Sequence, residues 1–231
     1  MPEQGPEIWD GGDLRIREVP RTLREMALER LRAAIFDNRF KPGERLTERE
    51  LCAQLGVSRS VVREVIRHLE AEGLVQTVPH HGPVVARLDA GTAAEIYELR
   101  GLLESAAAES AARNRNPDDI SAMDAALGDI ESAYANLDQR AVVAATTRFY
   151  EAMFRCGGKQ VAWEMVQRLN GRISLLRAMT IASPGRQLSG PMELRNILNA
   201  IAMGEPEKAG AACRLHVARA AALAARRLAG A

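Results

Sequence analysis

Residues 40–87 read FKPGERLTERELCAQLGVSRSVVREVIRHLEAEGLVQTVPHHGPVVAR, and the punctuation of that stretch decides the fold of the N-terminal part. Pro42 cannot continue a helix, and Gly43 supplies a turn. Thr47-Glu48-Arg49-Glu50 has capping-box spacing, with the Thr47 hydroxyl at the N-cap and Glu50 reaching back. The short helix that follows runs to Leu55, where Gly56 permits a left-handed backbone. Ser58 opens a second helix with Val62, Val65, Ile66 and Leu69 on one face, and Gly73 stops it. Residues 74–78 and 84–86 are β-prone and flank Pro79-His80-His81-Gly82-Pro83, which predicts a hairpin with an irregular tip. Two helices about a glycine turn, followed by a hairpin, make a winged helix-turn-helix.

Outward from this stretch, Leu23, Met26, Ala27, Leu31, Ala34 and Ile35 recur at spacings of three and four, so a helix from about Arg21 precedes it. Residues 1–20 mix glycine, proline and acids without period and are expected to form a flexible arm. Beyond Leu88 the composition shifts: 33 of 39 alanines lie at residue 90 or later, and no alternating β-branched segment returns. Thr92 and Glu95 have capping-box spacing for a helix to about Arg113. Asn116-Pro117 opens another that fades near Asn136. Asp138 caps a third reaching Arg155, and a fourth spans 159–181 up to Ser183-Pro184-Gly185. A fifth runs from Pro191 to Met203, and a sixth from Pro206 to about Leu228. The expected fold is mainly α: a winged helix-turn-helix over 21–88, then an antiparallel all-α bundle over 89–231 of six helices, with seven as the alternative count.

The 231 residues are 47% apolar and 26% charged with a net charge of +1, which excludes fibrous and wholly disordered classes. Cys52, Cys156 and Cys213 are three and widely spaced, so a disulfide framework is not expected and a reducing, cytoplasmic location is. The N-terminus shows no signal-peptide pattern, and no apolar run suits a membrane span.

On the second helix of the motif, Arg59, Arg63 and Arg67 recur every four residues opposite the apolar face. Ser58 and Ser60 stand at its first turn, where free amides and hydroxyls suit phosphate oxygens. Arginine can also contact guanine with two hydrogen bonds in a major groove. Charge alone leaves a merely solvated basic face equally open, since residues 14–88 carry 14 Lys and Arg against 10 Asp and Glu. Residues 40–87 as a whole, however, resemble the winged-helix domain of the GntR family of bacterial transcription regulators. The resemblance rests on Pro42-Gly43, Leu46, Glu48, Leu51, Leu55-Gly56-Val57-Ser58-Arg59, Val62-Arg63-Glu64, Leu69, Gly73-Leu74-Val75 and Gly82. It implies DNA contacts from Arg49, Ser58, Arg59, Ser60, Arg63, His81 and Gly82, with Arg49 and Arg59 on base edges and Arg63 and the serines on phosphates. Arg67 is equally readable as an ion-pair partner of Glu64 or Glu70. His80 and His81 stand where the family often has arginine before the glycine.

The helical part resembles the FCD effector domain of the FadR-like subfamily, through Tyr97-Glu98-Leu99-Arg100 and Leu103-Glu104; a six-helix count would favour its VanR-like branch. Many FCD domains hold a divalent metal with one aspartate and three histidines. That pattern falls here on Thr146, Tyr150, Leu194 and His216, and His216 is the sole histidine beyond residue 81. No metal or other cofactor is therefore expected. Glu151 and Glu193 neighbour two of the lost ligands, but a one-residue step turns a helical side chain by about 100°, away from the cavity. The expected effector site consists of Arg100, Thr146, Tyr150, Arg172, Leu194 and His216, suited to a small organic acid or an acyl-type ligand. For Arg100 and Arg172 a structural salt bridge is an equal reading, and a cavity closed by side chains is also open.

No Ser/Cys-His-Asp set, phosphate loop or metal cluster supports an enzyme. The expected function is a homodimeric, effector-controlled regulator, acting as a repressor, that binds an inverted-repeat DNA operator. The alternative is a ligand-independent DNA-binding protein whose helical part only dimerises.

Overall fold

A computed structural model describes residues 21–37 and 39–229; the expected N-terminal arm lies outside the described residues. Helix α1 (Leu23–Phe36) starts at Thr22 with a complete capping box to Glu25 and buries Ala27, Leu28, Leu31 and Ile35. Helices α2 (Glu48–Leu55) and α3 (Arg59–Ala71) flank the Gly56 turn, where the backbone is left-handed. Strands β1 (Val75–Val78) and β2 (Gly82–Val85) pair antiparallel with Val75 opposite Val85. Leu31, Ile35, Leu46, Leu51, Val62 and Leu69 close a core beneath the hairpin.

Two local expectations change here. Thr47 is the N-cap of α2, but its hydroxyl donates to the Glu50 carboxylate at 2.6 Å and caps no amide. Gly82 and Pro83 belong to β2 rather than to the hairpin tip. The segment before α2 braces them, because Leu46 N donates to Pro83 O at 2.8 Å and Arg45 bridges to Val84. Pro83 needs no donor of its own in such a short edge pairing.

The remaining helices among the described residues are seven: α4 (Ala90–Asn114), α5 (Pro117–Ala135), α6 (Gln139–Cys156), α7 (Gln160–Arg168), α8 (Asn170–Ile181), α9 (Arg186–Ala202) and α10 (Pro206–Ala229). Asp89, not Thr92, caps α4, and its carboxylate accepts from Thr92 N at 2.8 Å. The expected fourth helix is two, α7 and α8, parted at Leu169, whose amide bonds three residues back to Val166 O. Helix α9 begins five residues before Pro191, which lies inside it; near a helix start the missing amide forfeits one ladder bond. Helix α4 runs along α10, α5 along α6, and α9 packs on both α5 and α10. Phe149, Tyr150, Phe154, Met123 and Leu127 fill the centre. Buried alanines on α4 (Ala107, Ala108, Ala111) and α10 (Ala209, Ala220, Ala224) belong to the core these helices share.

The break at Leu169 matters because it lets α8 meet the winged part. A Cβ on Gly171 would lie 2.9 Å from both Glu72 Cβ and Leu74 Cγ, so only glycine allows this approach. One turn on, Leu175 packs against the hydrophobic cluster beneath the hairpin. An Arg140–Asp37 ion pair joins α6 to the end of α1. No described helix is long and apolar enough to cross a membrane.

Candidate functional site

One candidate surface is the exposed side of α2, α3 and the hairpin. Arg49 on α2 and Arg59 and Arg67 on α3 are exposed and have no carboxylate partner among the described residues. The two acids proposed for Arg67 are engaged elsewhere: Glu64 faces Arg24 at 3.5 Å, and Glu70 accepts from the Thr77 hydroxyl. Arg67 thus extends the line of free guanidinium groups, which sequence reasoning had left undecided. Arg63 is committed differently, donating through Nε to Glu48 Oε1 at 2.7 Å. That hydrogen bond lowers the Glu48 carboxyl pKa and raises that of Arg63. It also ties α3 to α2 and leaves the outer guanidinium nitrogens free. Ser58 caps α3 by accepting from Val61 N at 3.5 Å, and its hydroxyl lies 2.8 Å from that of Ser60. At the hairpin tip His80 has a left-handed backbone with φ 63°, His81 is exposed, and Gly82 follows with φ 81°.

The second candidate is a cavity of about 40 Å³ inside the helical bundle. Tyr97 and Arg100 reach it from α4, Thr146 from α6, Arg177 from α8, Leu194 from α9 and His216 from α10. Four of the six expected effector residues therefore line one space. Tyr150 does not line it directly but supports its wall, with its ring 5.1 Å from the Arg177 guanidinium carbon and 5.8 Å from that of Arg100. Arg172 is a correction. It lies across the hairpin root, where a Cβ on Gly73 would come within 3.1 Å of its Cδ. The α7–α8 break resets the helical phase, and Arg177, which the sequence reading passed over, faces the cavity instead.

Arg100 is almost fully buried and forms a two-point ion pair with Glu104 on its own helix, at 2.6 and 3.2 Å. Burial disfavours its charge, but the Glu104 carboxylate outweighs that and raises its pKa. Thr146 spends its hydroxyl on Val142 O at 2.7 Å, within α6. Glu193 does not line the cavity, but its carboxylate accepts from His216 Nδ1 at 2.9 Å, Arg186 at 2.7 Å and Arg219 at 3.1 Å and so holds the cavity's imidazole from behind. Burial would raise the Glu193 pKa, yet the hydrogen bonds from His216 and Arg186 bring it down to about 2. His216 is driven below its ordinary value, first by burial and then by the Arg186 and Arg100 charges.

This donor set does not fit a divalent metal. It offers one imidazole, already bonded to a carboxylate, a threonine hydroxyl turned back on its helix, and a leucine. Arg100, Arg177 and Arg186 also line the space, and their charges oppose a dication.

Comparison with known proteins agrees with this two-part layout. Residues 23–85 match the family model of bacterial regulatory proteins, gntR family, and residues 95–219 match that of the FCD domain. The HTH-type transcriptional regulator YdhC of Bacillus subtilis (strain 168) is 27% identical over 180 residues, 78% of this chain and 80% of that protein. A protein of Paenarthrobacter nicotinovorans described as "Probable D-xylose utilization operon transcriptional repressor" is 29% identical over 187 residues, 80% of each chain. A crystal structure titled as a GntR transcriptional regulator from Rhodococcus sp. RHA1 superposes with a TM-score of 0.73 at 27% identity, covering 90% of this chain and 98% of that one. Escherichia coli McbR/YncC shares the fold, with a TM-score of 0.75 at 20% identity over 90% of this chain and 99% of that one.

Proposed function

We propose a function from one premise: the chain belongs to the GntR family of bacterial regulatory proteins and carries an FCD domain, a class of DNA-binding transcriptional regulators that are not enzymes. On our reading it is a homodimer that binds an inverted-repeat operator, represses transcription and is controlled by a small-molecule effector in the bundle cavity. Repression is supported by the printed description of the Paenarthrobacter relative. The two-fold repeat follows from placing one α3 per protomer in successive major grooves.

The observation that carries effector control is α8. Its N-terminal end touches the winged part through Gly171 and Leu175, while Arg177 and Thr180 on the same helix line the cavity. Six residues separate Gly171 from Arg177, about 9 Å of rigid helix at 1.5 Å per residue. A ligand that draws Arg177 toward itself moves α8, and α8 cannot move without disturbing its glycine contact at the hairpin root. The effector is a small organic acid; an acyl chain would need the cavity to open far beyond about 40 Å³. No metal or other cofactor takes part. Arg49 and Arg59 read base edges, and Ser58, Ser60 and Arg63 hold phosphates. His81 and Gly82 present the wing to the neighbouring groove.

The test is binding to the DNA that flanks the gene. Arg59→Ala is expected to weaken binding by about 5- to 150-fold, the worth of one two-point arginine–guanine contact. Unchanged affinity would remove Arg59 from the interface. A small acid that binds the protein without altering its DNA affinity would leave the ligand-independent reading in place of effector control.

A further inference from the structure

The three buried side-chain polar atoms that lack a hydrogen-bond partner among the described residues are the Tyr97 hydroxyl, Arg100 Nη1 and the Tyr150 hydroxyl. They belong to one cluster centred on Arg100, with Arg177 against the Tyr150 ring. The Arg100 guanidinium carbon is 5.2 Å from the Tyr97 ring and 5.8 Å from the Tyr150 ring, whose other neighbour is Arg177 at 5.1 Å. Buried polar atoms are ordinarily satisfied, so three orphans in one place mark a site where something else belongs.

Charge points the same way. Arg177 is 8% exposed, and its one side-chain hydrogen bond, through Nη1 to the Thr147 hydroxyl at 3.1 Å, is to a neutral group. Glu104 and Glu193, the buried carboxylates of this region, are already paired with Arg100 and Arg186 respectively. One buried positive charge is therefore left over. Burial, reinforced by the Arg100 charge, pulls the Arg177 pKa down to about 10, so the guanidinium is charged but poorly compensated. Burial raises the pKa of both tyrosines, which keeps their hydroxyls protonated as donors. The space of about 40 Å³ holds roughly three or four water-sized groups, the bulk of a carboxylate or phosphoryl group.

We propose that the cavity is an oxyanion site in which Arg177 supplies the counter-charge, the Tyr97 hydroxyl and Arg100 Nη1 direct hydrogen bonds to a compact carboxylate or phosphoryl group, and the Tyr150 ring backs the two guanidinium groups. The proposal deepens the effector reading and rests on it for its biological use, but anion binding itself is measured without DNA. Specificity resides in Arg177, because Arg100 is saturated on two sides by Glu104.

Thermal unfolding of the full chain is followed in EDTA with sodium acetate, malonate or inorganic phosphate, against sodium chloride at equal ionic strength. At a concentration 100 times the dissociation constant, one of these oxyanions should raise the unfolding midpoint by about 5–10 °C. Acetate and malonate against phosphate separate a carboxylate ligand from a phosphoryl one. Arg177→Met should abolish the rise and leave the ligand-free midpoint unchanged or higher, since it removes an uncompensated buried charge of similar length. Tyr97→Phe should keep the fold and weaken anion binding by about 5- to 10-fold, one hydrogen bond's worth. The proposal is overturned if no oxyanion acts beyond chloride, if the rise survives Arg177→Met, or if it requires a divalent metal. An oxyanion that binds through Arg177 yet leaves operator affinity unchanged supports the site and refutes effector control.

Discussion

Replacing Glu104 by glutamine removes the carboxylate that faces the Arg100 guanidinium while preserving side-chain shape. In the folded protein Arg100 is 1% exposed and Glu104 is fully buried, and the pair is joined by hydrogen bonds of 2.6 and 3.2 Å. Arg100 Nη1 already lacks a partner, and Arg177 lies close enough to repel it. Solvent cannot relieve the stranded charge, so the substitution should cost about 3–5 kcal/mol, the range for breaking one side of a buried ion pair. For a chain of this size that is a fall of about 6–20 °C in the unfolding midpoint, at 2–4 °C per kcal/mol. Thermal unfolding followed by circular dichroism and urea titration at neutral pH measure it. Arg100→Met should be comparably harmful, because it strands Glu104. The double variant Arg100→Met/Glu104→Leu should recover most of the loss, since two apolar side chains fill the space without a desolvated charge. The reasoning is refuted if either single change costs less than about 1 kcal/mol, or if the double variant loses the sum of the two.

Gly171→Val places a branched side chain against Glu72 and Leu74; it should destabilise by about 1–3 kcal/mol as overpacking and alter DNA affinity although it lies outside the DNA-facing surface, as a mobility-shift assay would show. Arg67→Ala should weaken DNA binding uniformly across sequences and lower the salt slope by about one phosphate contact, whereas an unchanged slope would assign Arg67 to solvent. His216 is held below its ordinary 6.5, so between its lowered value and 6.5 the unfolded chain binds a proton that the folded chain does not. Stability should therefore rise with pH across that window, and His216→Gln should flatten the rise in urea titrations. Glu193 runs the other way in its cause: with its folded pKa at about 2 against an ordinary 4.5, its contribution is complete above 4.5 and disappears as pH falls through 2.

Much of the molecule was readable from residue spacing. The α1–α3 arrangement, the hairpin, Ser58 and Asp138 as caps and Gly56 as the left-handed stop all follow from short-range rules that act over four or five residues. The misreadings share one cause. Leu169 carries no breaker residue near it except Gly171, and that glycine serves a contact with Glu72 more than 90 positions earlier, so the division into α7 and α8 has no local signature. Arg172 and Arg177 differ only by five positions in one amphipathic run, and the division decides which of them faces inward. Glu193 stays out of the cavity lining as its helical position predicts, but its bonds to His216 and Arg219 depend on how α9 packs on α10.

The sequence by itself determined that the chain combines a winged helix-turn-helix with an α-helical domain, because capping, turn chemistry and periodicity are local and the family's motif residues are contiguous. It also determined that a three-histidine metal site cannot be assembled beyond the hairpin, since composition admits no folding that would supply the missing imidazoles. Only the tertiary structure decided which charges are compensated. Arg100 and Arg177 look alike in the chain, yet one is neutralised by Glu104 one turn away and the other is buried against the Tyr150 ring with no acid left to meet it. Compensation depends on distances between helices, and those are fixed by packing rather than by the order of residues.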